Sequence, residues 1–183
     1  MDAVMKAKIS ATNNIKKLIV SVIACLTVGM STAGFQKQSS IGVQSYSLWQ
    51  LLETLGRQPS LVPHKIKILL PVNFVETKRN RYFSFHEGGP LDLADQVKID
   101  KVELRTRLSN EREGLVILKL VGVCLPVEQV RAHYPELELT DSPRDQSLNG
   151  ETSYSVQQPW GLLSFSFNAR HPPCLATVVV DRT

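Results

Sequence analysis

Thirteen uncharged, mostly apolar residues, Leu18 to Met30, constrain this chain more than any other feature. They follow Lys6, Lys8, Lys16 and Lys17 and lead into Ser31-Thr32-Ala33. A basic leader, a short apolar run and a small-x-small site together make a bacterial-type secretory signal. The run falls short of the ~20 residues that a membrane-spanning helix needs. We therefore read 1–33 as a signal peptide cut after Ala33, which puts the mature chain in the periplasm. An uncleaved anchor is the plain alternative. A second cut is also open. Val22-Ile23-Ala24-Cys25 fits a lipobox, in which Cys25 would be lipidated and hold the protein at a membrane. The apolar residues after Cys25 favour the cut after Ala33.

Removing the signal changes the charge argument. The full chain carries a formal net charge of +4, but residues 1–33 hold four of the lysines and one aspartate. The remainder has 17 basic and 16 acidic residues, a net charge of +1. A nucleic-acid binder must carry its electrostatic footprint on the mature domain, so no nucleic-acid partner is expected. The densest basic run left, Lys78-Arg79-Asn80-Arg81, reads as a solvated turn.

About 150 residues make one domain. That length buries a core without metals or many staples. Two cysteines remain, Cys124 and Cys174, and in an oxidising compartment they are expected to pair. Two buried thiols or one reactive thiol are the alternatives. Neither cysteine has CxxC spacing.

Residues 34–46 read as a flexible polar leader, and 47–183 as the folded domain. A helix is expected at 48–55. Ser47 and Gln50 form a capping-box pattern, Leu48, Leu51, Leu52 and Leu55 make one stripe, and Gly56 stops it. Pro59 and Pro63 break the chain. Ile66 to Val72 alternates and reads as a strand, at a sheet edge because of Pro71. Tyr82 to Phe85 reads as a strand closed by Gly88-Gly89-Pro90. Val97 to Arg105 reads as another, with a slip near Asp100 that suggests a bulge. Leu115 to Val123 is more continuously apolar and reads as a buried central strand. A short helix starts at Pro126 and ends at Pro135. Residues 136–153 read as a long surface loop, followed by strands at 154–156, 161–167 and 175–181.

Phe83-Ser84-Phe85 and Phe165-Ser166-Phe167 echo one another, each after a helix. The echo suggests two tandem units, 47–123 and 124–183. The expected class is α+β, an antiparallel sheet with short helices packed on one face.

Chemistry is sparse. His64, His86, His133 and His171 are scattered, with no metal-ligand spacing. No phosphate loop, nucleophile elbow or paired carboxylates are present. We expect no metal and no cofactor, and no enzyme activity. His86 with Glu87 is the most site-like pair, a possible acid and base at a strand end. Cys124 with His133 could form a thiol and its base only if the disulfide were absent. Arg144 and Asp145, in the turn Thr140 to Asp145, would stand in solvent as partner anchors. Trp49 and Trp160 read first as core. An exposed Trp160 near Tyr82 and Phe83 would instead mark an interface. The candidate partner-binding set is therefore His86, Glu87, Arg144, Asp145 and Trp160.

The helices at 48–55 and 127–134, the two Phe-Ser-Phe strands and Trp160-Gly161 give residues 47–181 a resemblance. It is to the β-lactamase-inhibitor-like and SmpA-type envelope modules. A small exported single-disulfide domain also resembles immunity proteins. These resemblances imply a protein binder that neutralises an exported hydrolase or a toxin effector. An envelope-assembly lipoprotein is the alternative, and a small hydrolase using His86 and Glu87 a third.

Overall fold

The computed structural model describes residues 46–143, 150–169 and 172–183. The signal, Cys25, residues 34–45, Arg144 and Asp145 lie outside the described residues. The chain runs α1 (Leu48–Gly56), α2 (Pro63–Ile66), β1 (Val75–Arg79), β2 (Phe83–Gly88), β3 (Leu91–Asp92), β4 (Val97–Arg107) and β5 (Gly114–Gly122). It continues α3 (Val127–His133), β6 (Glu138–Asp141), β7 (Glu151–Gln158), β8 (Gly161–Asn168) and β9 (Leu175–Arg182).

One antiparallel sheet holds all nine strands, in the order β1-β2-β4-β5-β9-β8-β7-β6, with β3 paired to β4. The first half is a helical segment followed by the meander β1-β2-β4-β5, with the short β3 added to β4, and the second is α3 followed by the meander β6-β7-β8-β9. The last strands of the two meanders, β5 and β9, pair at the centre, from Gly114 opposite Arg182 to Lys119 opposite Thr177. Cys124 and Cys174 form a disulfide that closes this seam just beyond its paired residues, with Cα atoms 4.9 Å apart.

The expected α+β class is wrong. Strands hold 47% of the described residues and helices 15%, so the fold is β-rich. The three helices have nine, four and seven residues. They plug the core with the four leucines of α1, Ile66 of α2 and Val130 of α3, and never form a second layer. Two strands, β1 and β6, arise where the sequence suggested a basic turn and a surface loop. The run from Ile66 to Val72 is not a strand. Pro63 starts a helical turn, its missing N–H costing nothing at a first helical position. Ile66 and Leu70, four apart, are fully buried, while Ile68 is 82% exposed. Their spacing has helical period, which the alternation disguised.

Other elements follow their chemistry. Ser47 Oγ accepts from Gln50 N–H and Gln50 Oε1 accepts from Ser47 N–H at 3.1 Å, so the capping box forms. Asp95 adds a carboxylate to the same end, accepting from Leu48 N–H at 2.8 Å. The register of β4 against β5 shifts between Ile99 and Lys101, placing the bulge at Asp100. Thr106, buried in β4, donates to Leu61 O at 2.7 Å and ties the segment before α2 to the sheet.

The core lies on one side of the sheet. Leu48, Leu51, Leu52 and Leu55 of α1 join Ile99, Val102 and Leu104 of β4, Val116 and Leu118 of β5, Val178 and Val180 of β9, and Leu163 and Phe165 of β8. Every residue of this group is fully buried. The Phe-Ser-Phe echo, by contrast, does not mark equivalent strands. It falls on the second strand of the first meander and the third of the second. Ser84 is buried in β2 while both neighbouring phenylalanines are half-exposed. In β8 the phenylalanines are buried and Ser166 is not.

Gly161 opens β8 at φ +145°, where an added Cβ would collide with Asp181 O. Gly161→Ala is therefore expected to cost about 2 kcal/mol or more. A thermal melt checks it, and an unchanged midpoint would show that the hairpin relaxes freely.

Candidate functional site

The other side of the sheet is where the unusual surface lies. Strand register sets three rows across it. The first runs Lys78, Phe85, Arg105, Leu115, Asp181, Leu162, Gln157. The second runs Val75, Glu87, Glu103, Ile117, Val179, Ser164, Ser155. The third runs Lys101, Lys119, Thr177, Ser166, Ser153. None of these residues belongs to the buried hydrophobic cluster, and of the polar ones Ser155 and Thr177 are buried. The buried side chains of all three helices belong to it, so among the described residues no helix packs on this face.

The face has three zones. At its centre, Leu115, Ile117, Val179 and Leu162 make an aliphatic spine. On one flank cations lie over aromatic rings: Lys78 and Arg105 over Phe85 at 5.7 and 5.6 Å, and Arg107 over Phe83 at 5.1 Å. Such contacts hold the long side chains flat and keep their charge available. Carboxylates interleave with them. Glu87 pairs with Lys101 at 2.7 Å, and its hydrogen bond raises the lysine pKa. Glu103 pairs with Arg105 at 2.7 Å. On the opposite flank hydroxyls bond to one another. Thr140 meets Ser155 at 3.0 Å, Ser155 meets Ser164 at 2.8 Å, and Ser153 meets Ser166 at 2.8 Å. Lys119 Nζ donates to Thr177 Oγ1 at 2.9 Å where spine and hydroxyls join. Asp181 stands between Leu115 and Leu162, and burial there pushes its pKa up, against a smaller pull from Arg107.

His86 and Glu87 are split by the strand itself, because neighbours in a strand point to opposite faces. Glu87 is on the uncovered face. His86 points to the other side, where its Nε2 is 3.6 Å from Glu76. Arg79 also grips Glu76, with Nε at 2.8 Å, and that hydrogen bond holds the carboxylate below its usual range. No acid–base pair of His86 with Glu87 exists. His86 does border a small cavity of about 240 Å³ with Ser84, Thr106 and Arg79. Its Nδ1 is buried there without a partner among the described residues.

Trp160 sits elsewhere again, half-buried in a groove that neither Tyr82 nor Phe83 lines. It lies against the end of α1, where a Cβ on Gly56 would overlap the indole. With Trp49, Tyr134, Gln50, Glu53 and Gln158 it lines a groove of about 520 Å³. Trp49 stacks on His133, centroids 4.0 Å apart, and meets Tyr134 edge-on at 6.2 Å. His133 therefore has an aromatic partner, and Cys124 is held in the disulfide. The candidate thiol and base are not assembled.

Burial pushes the Tyr134 phenol up to about 12, with Glu53 adding to the shift. Its folded pKa thus exceeds the ordinary value of 10.0. The resulting stability is fully present below pH 10 and is lost as pH rises through about 12. We expect alkaline unfolding to begin in that window and to become shallower in Tyr134→Phe, read by circular dichroism against pH. An identical profile in the variant would assign the loss to other groups.

Of the expected partner-binding residues, Glu87, His86 and Trp160 thus fall on three separate surfaces. The uncovered face itself was missed. Its signal was present in the alternation of 98–107, where Lys101, Glu103, Arg105 and Arg107 share one side of a long strand.

No family model matches the chain, and neither a curated protein nor a solved structure matches it.

Proposed function

We propose that this is an exported protein-binding domain, an inhibitor or immunity protein that neutralises a hydrolase or toxin effector by docking the uncovered sheet face onto it. One observation carries the reading: a central aliphatic spine, flanked by charged-aromatic and hydroxyl zones, on a sheet face that no described helix covers. Apolar centre and polar rim are the anatomy of a protein interface. A contiguous patch of this kind on a small domain is a recognition surface more often than idle surface. The strands fix it rigidly, which lowers the entropy lost on docking. Catalysis has less support, since the one acid–base pair the sequence suggested is divided between two faces.

The test is capture of the tagged protein from an envelope extract, followed by an activity assay of whatever is retained at one-to-one stoichiometry. The reading expects one exported hydrolase or effector, inhibited on titration to equivalence. Retention of outer-membrane assembly components with no inhibition would replace it with the scaffold reading.

A further inference from the structure

We propose that the groove between α1, the end of α3 and the β7–β8 turn is a second site, built to bind a neutral glycan of pyranose rings. The chain has two tryptophans, and both line this groove. They come from segments more than a hundred residues apart, so the fold spends its two largest aromatic side chains on one opening. Both are half-buried, held by fixed neighbours rather than swallowed by the core. Trp160 needs glycine at position 56 to lie where it does, and Trp49 stacks on His133 and meets Tyr134 edge-on. Rigid, partly exposed indoles are costly to leave wet and are pre-organised to stack on a ligand.

The polar groups select the ligand class. Gln50, whose Oε1 already accepts from Ser47 N–H, offers its amide N–H groups, and Gln158 offers a planar amide able to donate and accept. Glu53 and Arg57 pair at 2.6 Å, so the rim carries both signs and no net charge. A peptide adding to a sheet would need a free strand edge, and this groove presents a helix and a turn. A pyranose ring fits both halves of the lining. Its C–H face lies on indole, and its hydroxyls exchange hydrogen bonds with amide, carboxylate and guanidinium. The volume of about 520 Å³ falls within the usual range for small-ligand sites, roughly 300–1,000 Å³.

The proposal stands apart from the sheet-face reading, because the groove lies on the helical side. It also supplies its own probe, since all tryptophan emission comes from this groove. Cellotetraose and chitotetraose are titrated into the whole protein while emission is followed. A saturable shift with at least one sugar is expected. Trp160→Ala should weaken binding by at least ~10-fold, the remaining Trp49 still reporting. Gln158→Ala, a rim change with little bearing on folding, should weaken it about fivefold, as for one lost hydrogen bond. No saturable shift with either sugar overturns the proposal. So does affinity unchanged in both variants. If neither sugar binds but Trp160→Ala abolishes retention of the captured protein partner, the groove is a protein contact and the glycan assignment fails.

Discussion

Phe165→Ala will lower the unfolding free energy by about 4 kcal/mol, in the middle of the range for buried phenylalanine truncation. Phe165 is the largest fully buried side chain of the core. It projects from β8 opposite Tyr154 and Val178. Its ring centroid is 5.3 Å from that of Tyr134, so it links the sheet to the end of α3. Truncation leaves a hole walled by β-sheet on one side and a helix end on the other, with little freedom to collapse. Phe85→Ala is the matched comparison. It alters the other Phe-Ser-Phe copy, in β2, on the uncovered face, where the ring is half-exposed. Its cost should stay near 1 kcal/mol. Denaturant midpoints with unchanged slopes measure both. Equal losses at the two positions would show that the face we describe as uncovered is packed.

The second large effect belongs to the disulfide. Cys124 and Cys174 are 50 residues apart. Closing such a loop stabilises by about 4 kcal/mol in the chain-entropy model. The bond sits at one end of the β5–β9 pairing, the ladder that joins the two meanders. Cys124→Ala with Cys174→Ala should therefore lose most of that amount, and reduction of the wild type should match it. A loss under about 1 kcal/mol would mean that residual structure already restricts the unfolded chain without the bond.

Local features were legible in the sequence, and long-range ones were not. The capping box at Ser47, the stripe of α1, the Asp100 bulge and the cysteine pair rest on short-range chemistry or simple counting. The class failed because it depends on which elements join. Lys78 to Arg81 reads as a turn, yet Lys78 and Arg79 end the strand Val75–Arg79, whose five residues are all exposed; a charged, exposed edge strand has no apolar period to betray it. Glu138 to Asp141 is hidden for the same reason. Ile66 and Leu70 mislead in the opposite direction, because a spacing of four satisfies a two-residue period as well as a helical one. The candidate site failed on facing. His86 and Glu87 are adjacent in sequence, and adjacency within a strand guarantees separation across the sheet. Trp160 and Trp49 line one groove, and Trp160 lies there only because Gly56 leaves room, which no local pattern records.

The sheet face as a docking surface is the central claim, and one affinity measurement tests it most directly. Ile117→Lys with Leu162→Lys places two cations on the aliphatic spine, their stems covering part of the surface the native side chains cover. Ile68→Lys, on a residue that is 82% exposed beside α2, serves as the control. Thermal melts confirm that all three proteins fold, and each is then titrated against the captured partner. The account predicts at least a ~30-fold loss of affinity for the double variant, the scale of a lost interface hot spot, and none for the control. Full affinity in a folded double variant would contradict it and place the partner elsewhere on the domain.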